Sequence, residues 1–306
     1  MKNLVVVLLG GLSGEREISF LTGKACSKAL KKKGYKVKLL DAKGSFVNKL
    51  KSLKPKLVFN ALHGRYGEDG LIQSILEALK IPYTHSGVSS SSLAMDKVLS
   101  RLIFKKNKIK VPKYFLLHNN EEKNYLENIK KKKIKYPIVI KPVNEGSSLG
   151  VYICKNKAQF KKNYNKLKKV YDKILIEEYI PGKEIQVAVM GNKALGAIEL
   201  VPKRQFYDYT AKYSSKAKTK HLMPASISKE KYKEVLFLAK KAHKSLRCKG
   251  ITRSDFRFFN NKFYLLETNT QPGMTKLSLV PEIANYCGIK FENLVHWMAK
   301  DASCNR

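Results

Sequence analysis

Leu4-Val5-Val6-Val7-Leu8-Leu9, followed by Gly10-Gly11, is an unbroken apolar run of strand length that stops at a glycine pair. A strand that is apolar at every position is covered on both faces, as central strands of parallel sheets are. Working outward, residues 17–33 read as a helix, Tyr35–Leu40 as a second strand and Leu57–Leu62 as a third, ending at His63-Gly64. Ile72, Ile75, Leu76 and Leu79 then recur at helical spacing. Strand, helix, strand in this order requires a parallel sheet with right-handed crossovers. Such α/β sheets take ligands at the carboxyl ends of their strands. The loops there carry Glu15 and His63.

The chain has 306 residues, enough for two domains at roughly 150 residues each or for three smaller ones. Its net charge of +37 raises nucleic acid or an anionic membrane as partners. Of the 61 basic residues only 8 are Arg, the residue suited to forked phosphate and base contacts, and the other 53 are Lys. Runs such as Lys105–Lys110, Lys130–Lys135 and Lys161–Lys169 have few interleaved aromatics to stack bases. A solvated lysine-rich surface is the plainer reading, so no nucleic-acid and no membrane partner is expected. No apolar run approaches the ~20 residues of a membrane span. Five scattered cysteines with no CxxC motif or Cys/His cluster argue against a disulfide framework or structural zinc and for a reduced, cytoplasmic setting.

Small polar residues at Ser86–Ser92 suggest a boundary. A helix is expected next, with Met95, Val98, Leu99, Leu102 and Ile103 on one face and Lys97 pointing away from that face. Val111–Leu117, Pro137–Lys141, Val151–Cys154 and Leu175–Ile180 read as strands of a small mixed domain that stops at Pro181-Gly182. A third unit follows, with strands at Glu184–Met190, Ala194–Leu200, Asp255–Phe259 and Phe263–Glu267 and a helix near Glu230–Leu246.

Four segments carry chemistry. Lys141 ends a strand and opens Pro142-Val143-Asn144-Glu145-Gly146-Ser147-Ser148-Leu149-Gly150, whose glycines let backbone N–H groups approach phosphate and whose serines add donors. Arg253 and Asp255 share one face of a strand, and Glu267 and Asn269 share one face of the next. If the turn between them holds three residues, Asn260 to Lys262, Asp255 lies opposite Glu267 and Arg253 opposite Asn269; a two-residue turn breaks that register. Two carboxylates and an amide oxygen then suit Mg²⁺ completed by phosphates, against the plainer reading of an Arg–carboxylate pair. Thr270–Leu279, with a turn at Pro272-Gly273, places Ser278 and Leu279 beside that site. Phe206–Tyr213, polar and aromatic without periodicity, reads as a closing lid or an exposed loop.

Together these segments resemble the D-alanine–D-alanine ligase family of the ATP-grasp superfamily, almost end to end. The motifs are Gly-Glu-Arg-Glu-Ile-Ser at 14–19, His-Gly-Arg-Tyr-Gly-Glu-Asp-Gly at 63–70, Tyr-Thr-His-Ser-Gly-Val at 83–88, Met-Asp-Lys at 95–97 and Lys-Pro-Val-Asn-Glu-Gly-Ser-Ser-Leu-Gly at 141–150. They continue with Tyr-Asp-Tyr-Thr-Ala-Lys-Tyr at 207–213, Glu-Thr-Asn-Thr-Gln-Pro-Gly-Met-Thr at 267–275 and Ser-Leu-Val-Pro-Glu at 278–282. His85 replaces a frequent glycine of the family.

The resemblance implies an ATP-grasp fold with a Rossmann-like N-terminal domain, three domains in all: 1–92, a central lobe at 93–182, and a C-terminal lobe at 183–306 that carries Mg²⁺ and the second D-alanine. It implies ATP-dependent joining of two D-alanines through an acylphosphate, for peptidoglycan. Lys97 and Lys141 would contact ATP phosphates, with Glu145, Ser147, Ser148, Phe206 and Lys212 also at the nucleotide. Glu177, the neighbouring Glu178 and the Ile180 backbone would hold adenine, and Glu184 the ribose. Asp255, Glu267 and Asn269 would ligate two Mg²⁺, with Mn²⁺ as a substitute. Glu15, with His63 nearby, would bind the first D-alanine; Glu15, Ser147 and Tyr213 would form a network that closes the lid. Arg253 would serve the oxyanion, and Gly273, Ser278 and Leu279 the second D-alanine. A homodimer is the family expectation. A D-alanine–D-lactate ligase is the nearest alternative, and Lys212 with Tyr213 favours D-alanine; a basic nucleic-acid-binding protein is the alternative from another class.

Overall fold

The computed structural model describes residues 4–119, 125–202, 219–275 and 277–306. Strand β1 (Leu4–Leu9) is buried at all six positions, as its composition requires. It is the middle of a parallel sheet, between β2 (Lys36–Asp41) and β3 (Leu57–Asn60). Side chains alternate across it. Val5 and Val7 face Cys26, Ala29 and Leu30 of helix α1 (Arg16–Lys32), while Val6 and Leu8 face Leu50 of α2 (Phe46–Leu53) and Ile72 and Leu76 of α3 (Leu71–Ala78). The third strand stops two residues earlier than expected, because the Asn60 side-chain oxygen accepts from the Leu62 N–H at 3.2 Å and turns the chain.

Two further sheets follow in the chain. The first is β4 (Tyr114–His118), β7 (Lys173–Glu178), β5 (Ile138–Pro142) and β6 (Tyr152–Cys154) in that spatial order, with every pairing antiparallel. Helices α6 (Tyr125–Lys132) and α7 (Lys157–Leu167) cover it, with Tyr125, Phe160 and Tyr164 stacked in its core. The second is β10 (Lys220–Leu222), β9 (Lys193–Val201), β8 (Lys183–Met190), β11 (Ile251–Phe259) and β12 (Lys262–Asn269), again antiparallel. Helix α8 (Lys229–Ser245) packs on one face of it. On the other face, α9 (Leu279–Tyr286) and α10 (Phe291–Asp301) share a core with α1 and β1, so the N-terminal sheet and the C-terminal lobe are joined by one apolar cluster.

The helix expected after the Ser86–Ser92 segment is two helices, α4 (Val88–Met95) and α5 (Lys97–Lys106). Asp96 separates them in an extended conformation, and its carboxylate caps α5 by accepting from the Val98 and Leu99 N–H groups at 2.8 and 2.9 Å. The apolar face is not the one that α5 buries. Leu99 and Leu102 are exposed, whereas Lys97, Ser100, Arg101 and Phe104 are buried. Apolar periodicity misleads here because α5 turns a charged side inward, toward carboxylates that come from distant strands.

Two histidines are held neutral by burial. His85, at a positive φ of 72°, a conformation that glycine adopts more readily, is pushed down to about 3 by burial first and then by Arg306. His243, whose Nδ1 lies 2.8 Å from Thr252 Oγ1, is pushed down to about 4, again mainly by burial. Well above pH 6.5 neither group is charged in either state, and neither makes stability depend on pH. Below it, the unfolded chain takes up protons that the folded chain refuses, so stability falls toward pH 4 by up to about 1.4 kcal/mol per pH unit for each histidine. His243→Gln should remove one such share, seen as a smaller difference between urea-unfolding free energies at pH 7 and pH 4.5; an unchanged difference would contradict this.

Candidate active site

The site lies where the three sheets meet, and each contributes a loop. The segment expected as a strand-to-strand hairpin joins β5 to β6, with Ile138 opposite Cys154 and Ile140 opposite Tyr152. Its tip reaches the N-terminal domain: Ser147 Oγ donates to Glu15 Oε2, and the pair ties the loop to the start of α1. A Cβ at Gly146 would come within 2.9 Å of Glu15 Oε1, so any larger residue there would push the Glu15 carboxylate aside. Glu15 is buried, at 4% exposure. His63 places Nε2 2.9 Å from Thr22 Oγ1 and Nδ1 3.2 Å from Glu68 Oε1. Glu68, at the far end of the His63–Gly70 motif, is a partner that sequence reading passed over.

Two cavities adjoin. The first is polar and brings together Glu15, His63, Ser147, Arg253, Asn269 and Gly273. The second, with about 780 Å³ of empty space, is more apolar and lies between the two antiparallel sheets. Lys141, Ser148, Glu177, Glu178, Ile180 and Glu184 line it, and Asp255 lies at its edge. Lys97, Glu145 and Glu267 line both cavities. Lys97 Nζ donates to the Glu145 carbonyl and lies 3.8 Å from Glu267 Oε2.

Asp255 does lie opposite Glu267 and Arg253 opposite Asn269, but by a different route from the one expected. The turn holds two residues, Asn260 and Asn261, both at positive φ (46° and 59°), as a tight hairpin between twisted strands prefers. That turn alone would set the acids out of register by one. A bulge restores it: Phe256 pairs with Leu265 and Asp255 with Glu267, leaving Leu266 as the extra residue. Arg253 grips Asp255 from the same strand with two hydrogen bonds, Nε–Oδ1 at 2.7 Å and Nη2–Oδ2 at 2.8 Å. Arg257 continues the alternation. It donates to the Ile180 carbonyl at 3.0 Å and to Glu184 Oε2 at 3.1 Å, which fixes two residues of the second cavity. The period-two spacing of Arg253, Asp255 and Arg257 is the signal by which it could have been found.

The charge balance is uneven. Lys97, Arg101 and Lys141 are all buried, at 6%, 0% and 6% exposure. Glu177 answers two of them: Lys141 Nζ lies 2.7 Å from Oε1, and Arg101 donates to Oε2. Burial works to raise the Glu177 pKa, but the charges of Arg101 and Lys141 outweigh it and the carboxyl sits below its ordinary range. Lys141 is pushed down by burial, against the pull of Glu177.

The acids also fit a divalent cation. Asp255 and Glu267 are cross-strand neighbours on one cavity wall, with Asn269 next along the same face. Among the described residues no group of three or more His, Cys, Asp or Glu gathers around one point. Two carboxylates and an amide oxygen, short of a full cage, are the donor set of a Mg²⁺ that also takes substrate phosphates. Any cation there competes with Arg253 for Asp255, and the Asn269 oxygen already accepts from the Gln271 N–H at 2.7 Å.

Ser278 caps the turn before α9 by accepting from the Thr275 N–H at 2.9 Å, and a Cβ at Gly273 would meet its Oγ at 2.8 Å. It therefore stands directly behind the first cavity. Leu279 is buried in the core shared by α9 and α10. Phe206, Lys212 and Tyr213 lie outside the described residues.

Comparison with known proteins gives the chain's family and fold. Residues 103–300 match the family model of the D-ala D-ala ligase C-terminus, and residues 43–86 that of the D-ala D-ala ligase N-terminus. The chain is 56% identical to the D-alanine–D-alanine ligase of Pelagibacter ubique (strain HTCC1062) over 306 residues, all of both chains. It is 46% identical to that of Wolbachia pipientis wMel, over 97% of this chain and 94% of the relative. Crystal structures of D-alanine–D-alanine ligase from Bacillus anthracis superpose with TM-scores of 0.88 (31% identity) and, for the complex with ATP, 0.85 (28% identity); both cover 98% of this chain and 97% of the other. The three-sheet arrangement is thus the expected ATP-grasp fold.

The Ser147–Glu15 contact ties two sheets through one hydrogen bond to a buried carboxylate, a type worth about 1.5–3 kcal/mol. Ser147→Ala should speed amide exchange in residues 143–151 while leaving exchange in the core of β5 and β7 unchanged. Equal exchange in the loop of both proteins would deny the tie.

Proposed function

This chain belongs to the D-alanine–D-alanine ligase family, and from that we propose that its two adjoining cavities hold the two halves of one ATP-driven ligation. The enzyme joins two D-alanines into D-alanyl-D-alanine for cell-wall precursors, with ATP converted to ADP and phosphate. The observation that carries the assignment of roles is the shared wall. Lys97, Glu145 and Glu267 stand where a triphosphate in the apolar cavity would point into the polar one.

The apolar cavity takes the nucleotide, with adenine against Glu177, Glu178 and the Ile180 backbone, ribose at Glu184, and phosphates at Lys97, Lys141 and Ser148, reaching Ser147 of the polar cavity. Burying Arg101 and Lys141 around the one carboxylate of Glu177, with Lys97 close by at 3.8 Å from Glu267, leaves positive charge that an anion would balance. The polar cavity takes the amino acids, the first with its ammonium at Glu15 and the second near Gly273 and Ser278. Asp255, Glu267 and Asn269 would hold two Mg²⁺. Bound there, the cations neutralise charge that builds up on the transferring phosphoryl group.

In the first step a carboxylate oxygen of the first D-alanine attacks the γ-phosphorus. The new O–P bond forms as the bond to ADP breaks, giving an acylphosphate. In the second step the amine of the second D-alanine attacks the acyl carbon and loses a proton. The tetrahedral intermediate then expels phosphate and leaves the peptide bond. No protein nucleophile takes part, so the chain's contribution is positioning and charge. Arg253, in the polar cavity and steadied by Asp255, donates to the oxyanion. The loop held by Ser147 on Glu15 keeps water from the acylphosphate. Lys212 and Tyr213 extend that closure by family likeness, and the same likeness supports a homodimer, a cytoplasmic location and the domain limits 1–92, 93–182 and 183–306. Among the described residues no helix is long and apolar enough to cross a membrane.

The direct test is phosphate release that depends on D-alanine, with the dipeptide identified by mass. D-lactate offered as second substrate should give no depsipeptide, and its efficient use would redirect the assignment. Glu267→Gln should keep the fold and lower turnover at least about 10³-fold, since one of two carboxylates at the cation site is lost. Near-normal turnover at modest Mg²⁺ would refute the metal assignment. Arg253→Ala should lower kcat by about 10²–10³-fold, as for loss of an oxyanion donor, and a pure KM effect would refute that role.

A further inference from the structure

Arg101 is the largest fully buried side chain in the molecule's described residues, yet it lines neither cavity. It projects from α5, whose Phe104 packs with β8, β11 and α8 in the C-terminal lobe, and it meets Glu177 on β7 of the central lobe. Its guanidinium also lies over the Tyr114 ring, 5.2 Å from the centroid. Among the described residues its Nε and Nη1 have no hydrogen-bond partner. A buried cation with two unmet nitrogens is a poor way to fill space, and apolar residues of similar volume usually stabilise such positions better. The charge itself therefore needs an account.

Glu177 supplies one. It accepts Lys141 on Oε1 and Arg101 on Oε2, so one carboxylate faces two cations and the trio is left with one net positive charge. Without Arg101, Lys141 and Glu177 would be a closed, neutral pair, and a phosphate would have to win Lys141 from a buried partner. With Arg101 in place, Glu177 is already balanced from its other side. We propose that Arg101 is a positioning residue for the nucleotide: by neutralising Glu177 from the α5 side, it releases the charge of Lys141 to a phosphate of ATP. This rests on the reading above that Lys141 meets phosphate. It also couples the two lobes, because the side chain that frees Lys141 stands on a helix docked to the opposite lobe.

The test is steady-state kinetics on the full chain, with nucleotide affinity measured separately by displacement of a fluorescent ATP analogue. Arg101→Met should raise the KM for ATP about 10- to 100-fold and leave the KM for D-alanine within about twofold. Arg101→Lys, which keeps the charge, should recover ATP KM to within about fivefold of the parent. In a Glu177→Gln background Lys141 has no carboxylate to be released from, so adding Arg101→Met should shift ATP KM by less than about twofold. Should the Met variant fail to fold, Arg101→Gln takes its place with the same readouts. An ATP KM near that of the parent, a loss fully additive with Glu177→Gln, or a parallel loss for ATP and D-alanine would each overturn the proposal. Lys141→Met separates the two levels: an unchanged ATP KM there would remove the phosphate role of Lys141 itself.

Discussion

The structure depends on gathering cations in one dry place. Lys97 and Arg101 from α5 and Lys141 from β5 converge from two parts of the chain on Glu177 and Glu267, which come from two others. Each charge is tolerable only because the others are placed within reach, since a buried ion without a partner costs several kcal/mol. The two antiparallel sheets must therefore meet across α5 as they do for the centre to exist. The apolar core running from β1 through α1 to α9 and α10 joins the N-terminal sheet to the C-terminal lobe from behind.

Around this centre, rigid elements set the positions and loops make the contacts. Period-two alternation on β11 presents Arg253, Asp255 and Arg257 to the cavities, and a single bulged residue on β12 brings Glu267 alongside Asp255. Alternation on β5 and β7 does the same for Lys141 and Glu177. The Gly146–Ser148 tip then crosses to Glu15, so that one loop of the central sheet is tied to the start of α1 beside the polar cavity.

Much of this is legible without coordinates where the signal is local. The all-apolar β1 announces a central parallel strand, and its observed limits are those its composition suggests. The β5–β6 hairpin with its glycines and serines is likewise a short-range pattern. The opposition of Asp255 and Glu267 is legible only as a conditional: the turn is shorter than the register demands, and an irregularity that no spacing rule announces at Leu266 corrects it. On α5 the local signal points the wrong way, since Leu99 and Leu102 look like core and are exposed.

What the amino-acid order determines by itself is therefore the kind of layers, the segments that line the two cavities, and the alternation that puts Arg253 with Asp255 and Glu267 with Asn269. Those follow from backbone periods that act over a few residues. Tertiary structure alone decides that Lys97 and Arg101 turn inward, that Glu68 partners His63 and that Glu177 stands between two cations. The physical reason is that the free energy of a buried charge depends on partners distant in the chain, and those partners become neighbours only when the sheets have met.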